Sequence, residues 1–102
     1  MTTVIIDGSA VKSHEDIHTI FETSLKLPPW YGRNLDALYD CLTDMSESVT
    51  IQLKNLPALE AAMGARYPAL LRMLYDASEE NHRITIRETN EDKDDLKGEK
   101  FP

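Results

Sequence analysis

Read for alternation of apolar and polar positions, the chain opens on a short β-branched run, residues 2–6, closed by the turn signal Asp7 and Gly8. The run is nearly all apolar, which predicts a strand covered on both faces. Ser13, with Asp16 three residues on, predicts a capping box. Behind it, Ile17, Ile20, Phe21, Ser24 and Leu25 fall on one stripe at helical spacing, so a first helix is predicted over 14–25.

The run LPPWYGRNLDALYDCLTDM, residues 27–45, carries the strongest pattern. Pro28 and Pro29 stiffen a loop, Gly32 is expected to permit a tight bend, and Asn34 stands where a helix N-cap belongs. From Leu35 onward the two faces diverge. Leu35, Leu38, Cys41, Leu42 and Met45 form an apolar stripe, while Asp36, Tyr39, Asp40, Thr43 and Glu47 share the opposite side.

Residues 49–53 predict a second strand. Asn55 and Pro57 open a short third helix over 57–63 that Gly64 ends. Tyr67, Leu70, Leu71, Leu74, Ala77 and Ser78 mark a fourth helix that Pro68 can open, and residues 83–87 predict the last strand. Strands joined only through helices are expected to be parallel, with right-handed crossovers. The fold class is therefore α/β: one domain over 1–87, a three-stranded parallel sheet with about four helices. Residues 88–102 hold six acids and three lysines and read as a charged, solvated tail. Asp92 and Asp94 superficially suggest a calcium loop, but Asp95, Leu96 and Lys97 do not continue it.

The 102 residues suit one domain, and 41% hydrophobic content supplies a core. A formal charge of −7 argues against nucleic acid as a direct ligand and favours a basic partner. The single cysteine, Cys41, cannot form an internal disulfide, and neither a secretory leader nor a membrane-length apolar run is evident, so a cytoplasmic location is expected.

Signatures of catalysis are scarce. The sequence lacks GxGxxG, P-loop, GxSxG and HExxH motifs and any cysteine pair for zinc. His14 and His18 stand at metal-ligand spacing without a third ligand nearby and read as surface histidines. Cys41 lies on the apolar stripe and reads as a small hydrophobe. Asp36 and Asp40 on an open helix face lack the desolvation that separates acid from base. No enzyme, cofactor or metal site is expected. An aromatic between two aspartates, with Trp30 and Tyr31 just upstream, instead suggests a protein-binding face. Asp76 and Glu80 add an acid pair on the polar side of the fourth helix, with Arg72 placed to neutralise Asp76.

The motif LPPWYGRNLDALYDCLT, together with the sequence from the first strand to ITI at 84–86, resembles the barstar family, inhibitors of the secreted bacterial ribonuclease barnase. The resemblance covers roughly residues 2–87. It implies inhibition without catalysis, the second helix and its preceding loop plugging a ribonuclease active site. The implied contacts are Asp36 and Asp40 as key acids, Trp30 and Tyr39 as aromatic anchors, Asn34 in the loop, Thr43 through its hydroxyl, and Asp76 from the fourth helix. Asp40 would take the place of a substrate phosphate. With Tyr31, Leu35, Asp44 and Glu80 beside them, these residues make the expected partner-binding set.

The expected partner is a basic, extracellular-type ribonuclease, barnase-like, or a related nuclease toxin; no membrane is involved, and the free protein is expected to be monomeric. A regulatory module that turns the same acidic face to another basic protein is the alternative. The sequence departs from the family pattern at Asp44, usually glycine, and at Met45, commonly tryptophan. Trp30 replaces a tyrosine, Tyr39 a tryptophan, and His82 a second cysteine. Asp44 adds bulk and charge where a partner would pack, so the target need not be barnase itself.

Overall fold

The β-branched run at the N-terminus forms strand β1 (Thr2–Asp7), and the two later runs form β2 (Val49–Lys54) and β3 (Ile84–Thr89) in a computed structural model that describes residues 1–89. The strands are parallel in the order β1-β2-β3, with Val4 opposite Ile51 and Ile51 opposite Ile86. Between β1 and β2 lie α1 (His14–Leu25) and α2 (Leu35–Thr43); between β2 and β3 lie α3 (Leu56–Met63) and α4 (Arg66–Glu80).

Both crossovers step one strand along in the same direction. Right-handed connections of that kind deliver both helix pairs to the same face of the sheet. Burial follows that arrangement: Val4, Ile6, Ile51 and Leu53 are fully buried beneath the helices, while Thr3, Ile5, Thr85 and Arg87 on the other face are exposed. The expectation that β1 is covered on both faces is therefore corrected. Its apolar run looks continuous, but only alternate side chains meet helices, and Ile5 is 51% exposed.

The core joins those strand residues to Ile17 and Phe21 of α1, Leu38 and Leu42 of α2, Leu59 of α3, and Leu70, Leu74 and Ala77 of α4. Removing these side chains from water is the main force that holds the helices on the sheet. Gly8 lies where β1 gives way to a short 3-10 turn (Gly8–Ala10), and a Cβ there would stand 2.2 Å from the Asn55 carbonyl oxygen. Glycine is required because the backbones approach too closely for any side chain.

Several local signals acted differently from their sequence patterns. Ser13 caps α1 without a side-chain bond, and the Asp16 carboxylate instead accepts from the Lys12 N–H at 2.8 Å. Asn55 precedes α3 in the left-handed region (φ 54°), and its side chain donates to Asp7 at 2.7 Å rather than capping the helix. That bond heads the causes that hold the Asp7 carboxyl below its usual range. Strand β3 continues through Glu88 and Thr89, opposite Leu53 and Lys54, so the first two residues assigned to the tail belong to the sheet. The rest of the predicted tail, with the aspartates considered for calcium, lies outside the described residues. Among the described residues, no helix is long and apolar enough to cross a membrane.

Candidate functional site

Helix α2 begins at Leu35 because Asn34, in extended conformation, accepts the Ala37 N–H at 2.8 Å and satisfies one of the donors a helix start leaves unpaired. Its Leu38 and Leu42 are fully buried, while Leu35, Cys41 and Met45 are half-buried beside the core. Opposite them, Asp36 and Asp40 are exposed and Tyr39 lies half-buried between them, its ring against the core edge.

The helix stops at Thr43, with Asp44 as its C-cap. Glu47 therefore does not extend the α2 face, as an unbroken helix would have it. It lies beyond the turn and accepts a hydrogen bond from the Thr2 hydroxyl. The Thr43 hydroxyl donates to the Tyr39 carbonyl at 2.9 Å, so it is engaged with its own helix.

The loop before α2 is fixed from below by two contacts absent from the sequence reading. Tyr31 is only 7% exposed and joins the core, its hydroxyl sharing a 2.6 Å hydrogen bond with His18 Nδ1. Tyr31 is thus an internal anchor for the loop and not part of its exposed surface. His18 is likewise no surface histidine, being 2% exposed; burial first, and the nearby Arg33 second, hold its pKa below the usual imidazole value. The acidic neighbours Glu15, Asp16 and Glu22 mask this in the sequence, although a place next to Ile17 and three residues before Phe21 sets His18 at the edge of the apolar stripe.

The second contact is Arg33. It takes the left-handed conformation (φ 53°) in place of Gly32, to which the sequence reading gave the bend. Its guanidinium pairs with Glu22, with the Glu15 carboxylate at 3.1 Å and with the Thr19 hydroxyl at 3.1 Å, binding the loop to the exposed flank of α1. These contacts also lower the pKa of Glu15.

With Tyr31 turned inward, its neighbour Trp30 is turned outward and 81% exposed. Two shallow grooves flank α2. One is lined by Trp30, Leu27, Asp40, Cys41, Asp44 and Met45; the other by Leu35, Asp36, Tyr39, Met73, Arg72 and Asp76. The fold thus brings Trp30, Asp40 and Asp44 together on one side of α2, and Asp36, Tyr39 and Asp76 on the other. Arg72 lines the second groove without an ion pair to Asp76 among the described residues. Glu80 is exposed one turn further along α4 and lines neither groove.

This surface offers exposed carboxylates and aromatic rings on a fixed backbone. The Cys41 thiol borders it, with its pKa raised by burial first and by Asp40 second, which disfavours the thiolate needed for nucleophilic chemistry. No group of three or more His, Cys, Asp or Glu side chains able to hold a metal ion occurs among the described residues.

Comparison with known proteins finds relatives of the whole domain. A family model described as "Barstar (barnase inhibitor)" matches residues 1–95. A protein of Bacillus subtilis (strain 168) named "Putative ribonuclease inhibitor YrdF" is 37% identical over 81 residues, covering 78% of this chain and 89% of the relative.

Proposed function

Since the chain belongs to the barstar family, we propose that it inhibits a small basic ribonuclease, barnase-like or a related nuclease toxin, by seating α2 and the preceding loop in the enzyme's active site. One observation carries this reading. Trp30, Asp40 and Asp44 stand exposed together on one side of α2, with Asp36 exposed on the other, on a helix and loop that the core, Arg33 and the His18–Tyr31 bond hold in place. The reading places the inhibitor in the cytoplasm, in keeping with its unpaired cysteine.

The mechanism follows from what a ribonuclease site must be. Binding a polyanion requires clustered Arg, Lys and His, and carboxylates at suitable spacing satisfy those cations as phosphates do. Each pair formed costs the desolvation of two charges, so acidity alone does not give affinity; the carboxylates must arrive already in register. A helix fixed before binding keeps the ordering cost low. Asp40, central on the exposed face, takes the phosphate position, and Trp30 covers apolar or ring surface beside it. The protein then acts by occupying the site and performs no chemistry, as the family description "barnase inhibitor" implies.

Titration of the purified protein into barnase, with RNA cleavage followed, tests the reading. Stoichiometric inhibition is expected. Asp40→Ala should weaken binding by on the order of a hundredfold, because the enzyme's cations would be left buried and unpaired. The same change should leave thermal stability nearly untouched, since Asp40 is exposed. Equal loss of binding and stability would remove Asp40 from the interface. Absence of inhibition would direct attention to another basic partner of the same face, to be sought by pull-down with the Asp40→Ala protein as control.

A further inference from the structure

Helix α2 ends without the usual means of ending a helix. A glycine in left-handed conformation commonly closes the last turn and satisfies its carbonyls. Here Asp44 occupies the cap in right-handed geometry (φ −95°, ψ 0°). Its N–H reaches the Asp40 carbonyl at 3.2 Å, and the Met45 N–H reaches the Leu42 carbonyl at 3.2 Å. Further closure comes from another element. Asn81, 8% exposed at the end of α4, directs its side-chain NH2 at the Leu42 and Met45 carbonyls, both at 3.0 Å, and at the Thr43 carbonyl at 3.4 Å.

Asparagine often ends helices because it tolerates left-handed backbone, but that does not explain Asn81. Its backbone is extended (φ −130°, ψ 106°), a conformation open to any residue. The side chain is what the position uses. Its Oδ1 accepts the Arg83 N–H at 3.1 Å where the chain turns towards β3, while its NH2 gathers the carbonyls at the end of α2. The donor is costly to lose, because the buried Leu42 carbonyl then has no water to replace it and the part-buried Thr43 and Met45 carbonyls lose a fixed partner.

We propose that Asn81 is a positioning residue for α2: it lies off the acidic face, and by fixing the helix's C-terminal turn it sets where Asp40 and Asp44 stand relative to Trp30. This inference rests on the reading of α2 as the inhibitory helix. It also gives the Asp44 departure a structural counterpart, since a helix that lacks a glycine terminator is closed by an amide from α4.

Two substitutions separate the two roles of the side chain. Asn81→Asp keeps an oxygen for the Arg83 N–H and removes the donor to α2; Asn81→Ala removes both. Hydrogen exchange on the free proteins gives the first readout. Both variants should lose about tenfold more protection at the Asp44 and Met45 amides than at the β2 amides of Ile51 and Leu53, which report opening of the whole fold, and only Asn81→Ala should also expose the Arg83 amide. Uniform loss across the chain, or no loss at Asp44 and Met45, would overturn the proposal.

Binding kinetics with barnase give the second readout. Steering depends on charge, so the association rate of Asn81→Ala should stay within about twofold of the unsubstituted protein while dissociation quickens about tenfold. An unchanged dissociation rate would overturn the link from Asn81 to the interface. If the unsubstituted protein itself fails to bind barnase, the ribonuclease reading falls with this partner, while the exchange pattern still decides whether Asn81 fixes the end of α2.

Discussion

Among individual residues, the buried pair His18 and Tyr31 has the clearest consequence for behaviour in solution. The imidazole is held neutral in the fold, its pKa below 6.5 chiefly through burial. In the unfolded chain a histidine takes up its proton near pH 6.5. Between those two values the unfolded state binds more protons, so the contribution is fully present above about pH 6.5 and is lost as pH falls towards the folded value. Urea unfolding at a series of pH values from 7.5 to 5 should show declining stability, and His18→Gln should flatten that decline. Carboxylates with lowered pKa, such as Asp7 and Glu15, act only at lower pH, near and below 3.8 and 4.5, so the windows do not overlap. A profile for His18→Gln parallel to that of the unsubstituted protein would assign the decline to other groups.

The strands and helices show how one-sided the layering is. Ile5 and Ile6 are adjacent in β1 and chemically identical, yet Ile6 is fully buried under the helices and Ile5 is 51% exposed on the bare face. Ile6→Ala should cost about 2–5 kcal/mol, the range for truncating a packed aliphatic side chain, and Ile5→Ala less than about 1 kcal/mol. Chemical denaturation of the two variants measures this directly, and equal losses would mean that the outer face of the sheet is covered in solution. The same layering explains why α2 can present a polar face at all. With the four α-helices of the described residues on one side of the sheet, α2 spends Leu38 and Leu42 on the core and keeps Asp36 and Asp40 for solvent.

For the whole molecule, the relevant property is its net charge of −7 together with the placing of aspartates along α2 and α4. Attraction to a basic ribonuclease acts over distance and is screened by salt. As ionic strength rises from about 0.01 M to about 0.1 M, the screening length shrinks from ~30 Å to ~10 Å. Association with barnase, followed by stopped-flow fluorescence of Trp30, should slow by at least about tenfold over that range, while dissociation changes little. An association rate flat in salt would mean that the charges do not steer the encounter.

By itself the sequence determined the order and kind of the three strands and four α-helices, though not the 3-10 turn at Gly8–Ala10, because periods of two and 3.6, helix caps and breakers are local properties of neighbouring residues. It also marked Asp36, Asp40 and Trp30, since a charged stripe opposite an apolar one can be exposed in only one way. Tertiary structure decided what local pattern cannot express. Whether β1 is covered on one face or two depends on where both crossovers land. That Tyr31 turns inward while Trp30 turns outward depends on His18, thirteen residues away, offering a buried partner. Arg33 rather than Gly32 takes the left-handed turn, with Glu15 and Glu22 across the gap to hold it. Asn81, which no motif distinguishes, becomes the closure of a helix whose last residue, Thr43, lies 38 residues upstream. Each is a contact between residues far apart in the chain, and its energy exists only once the core has brought them together.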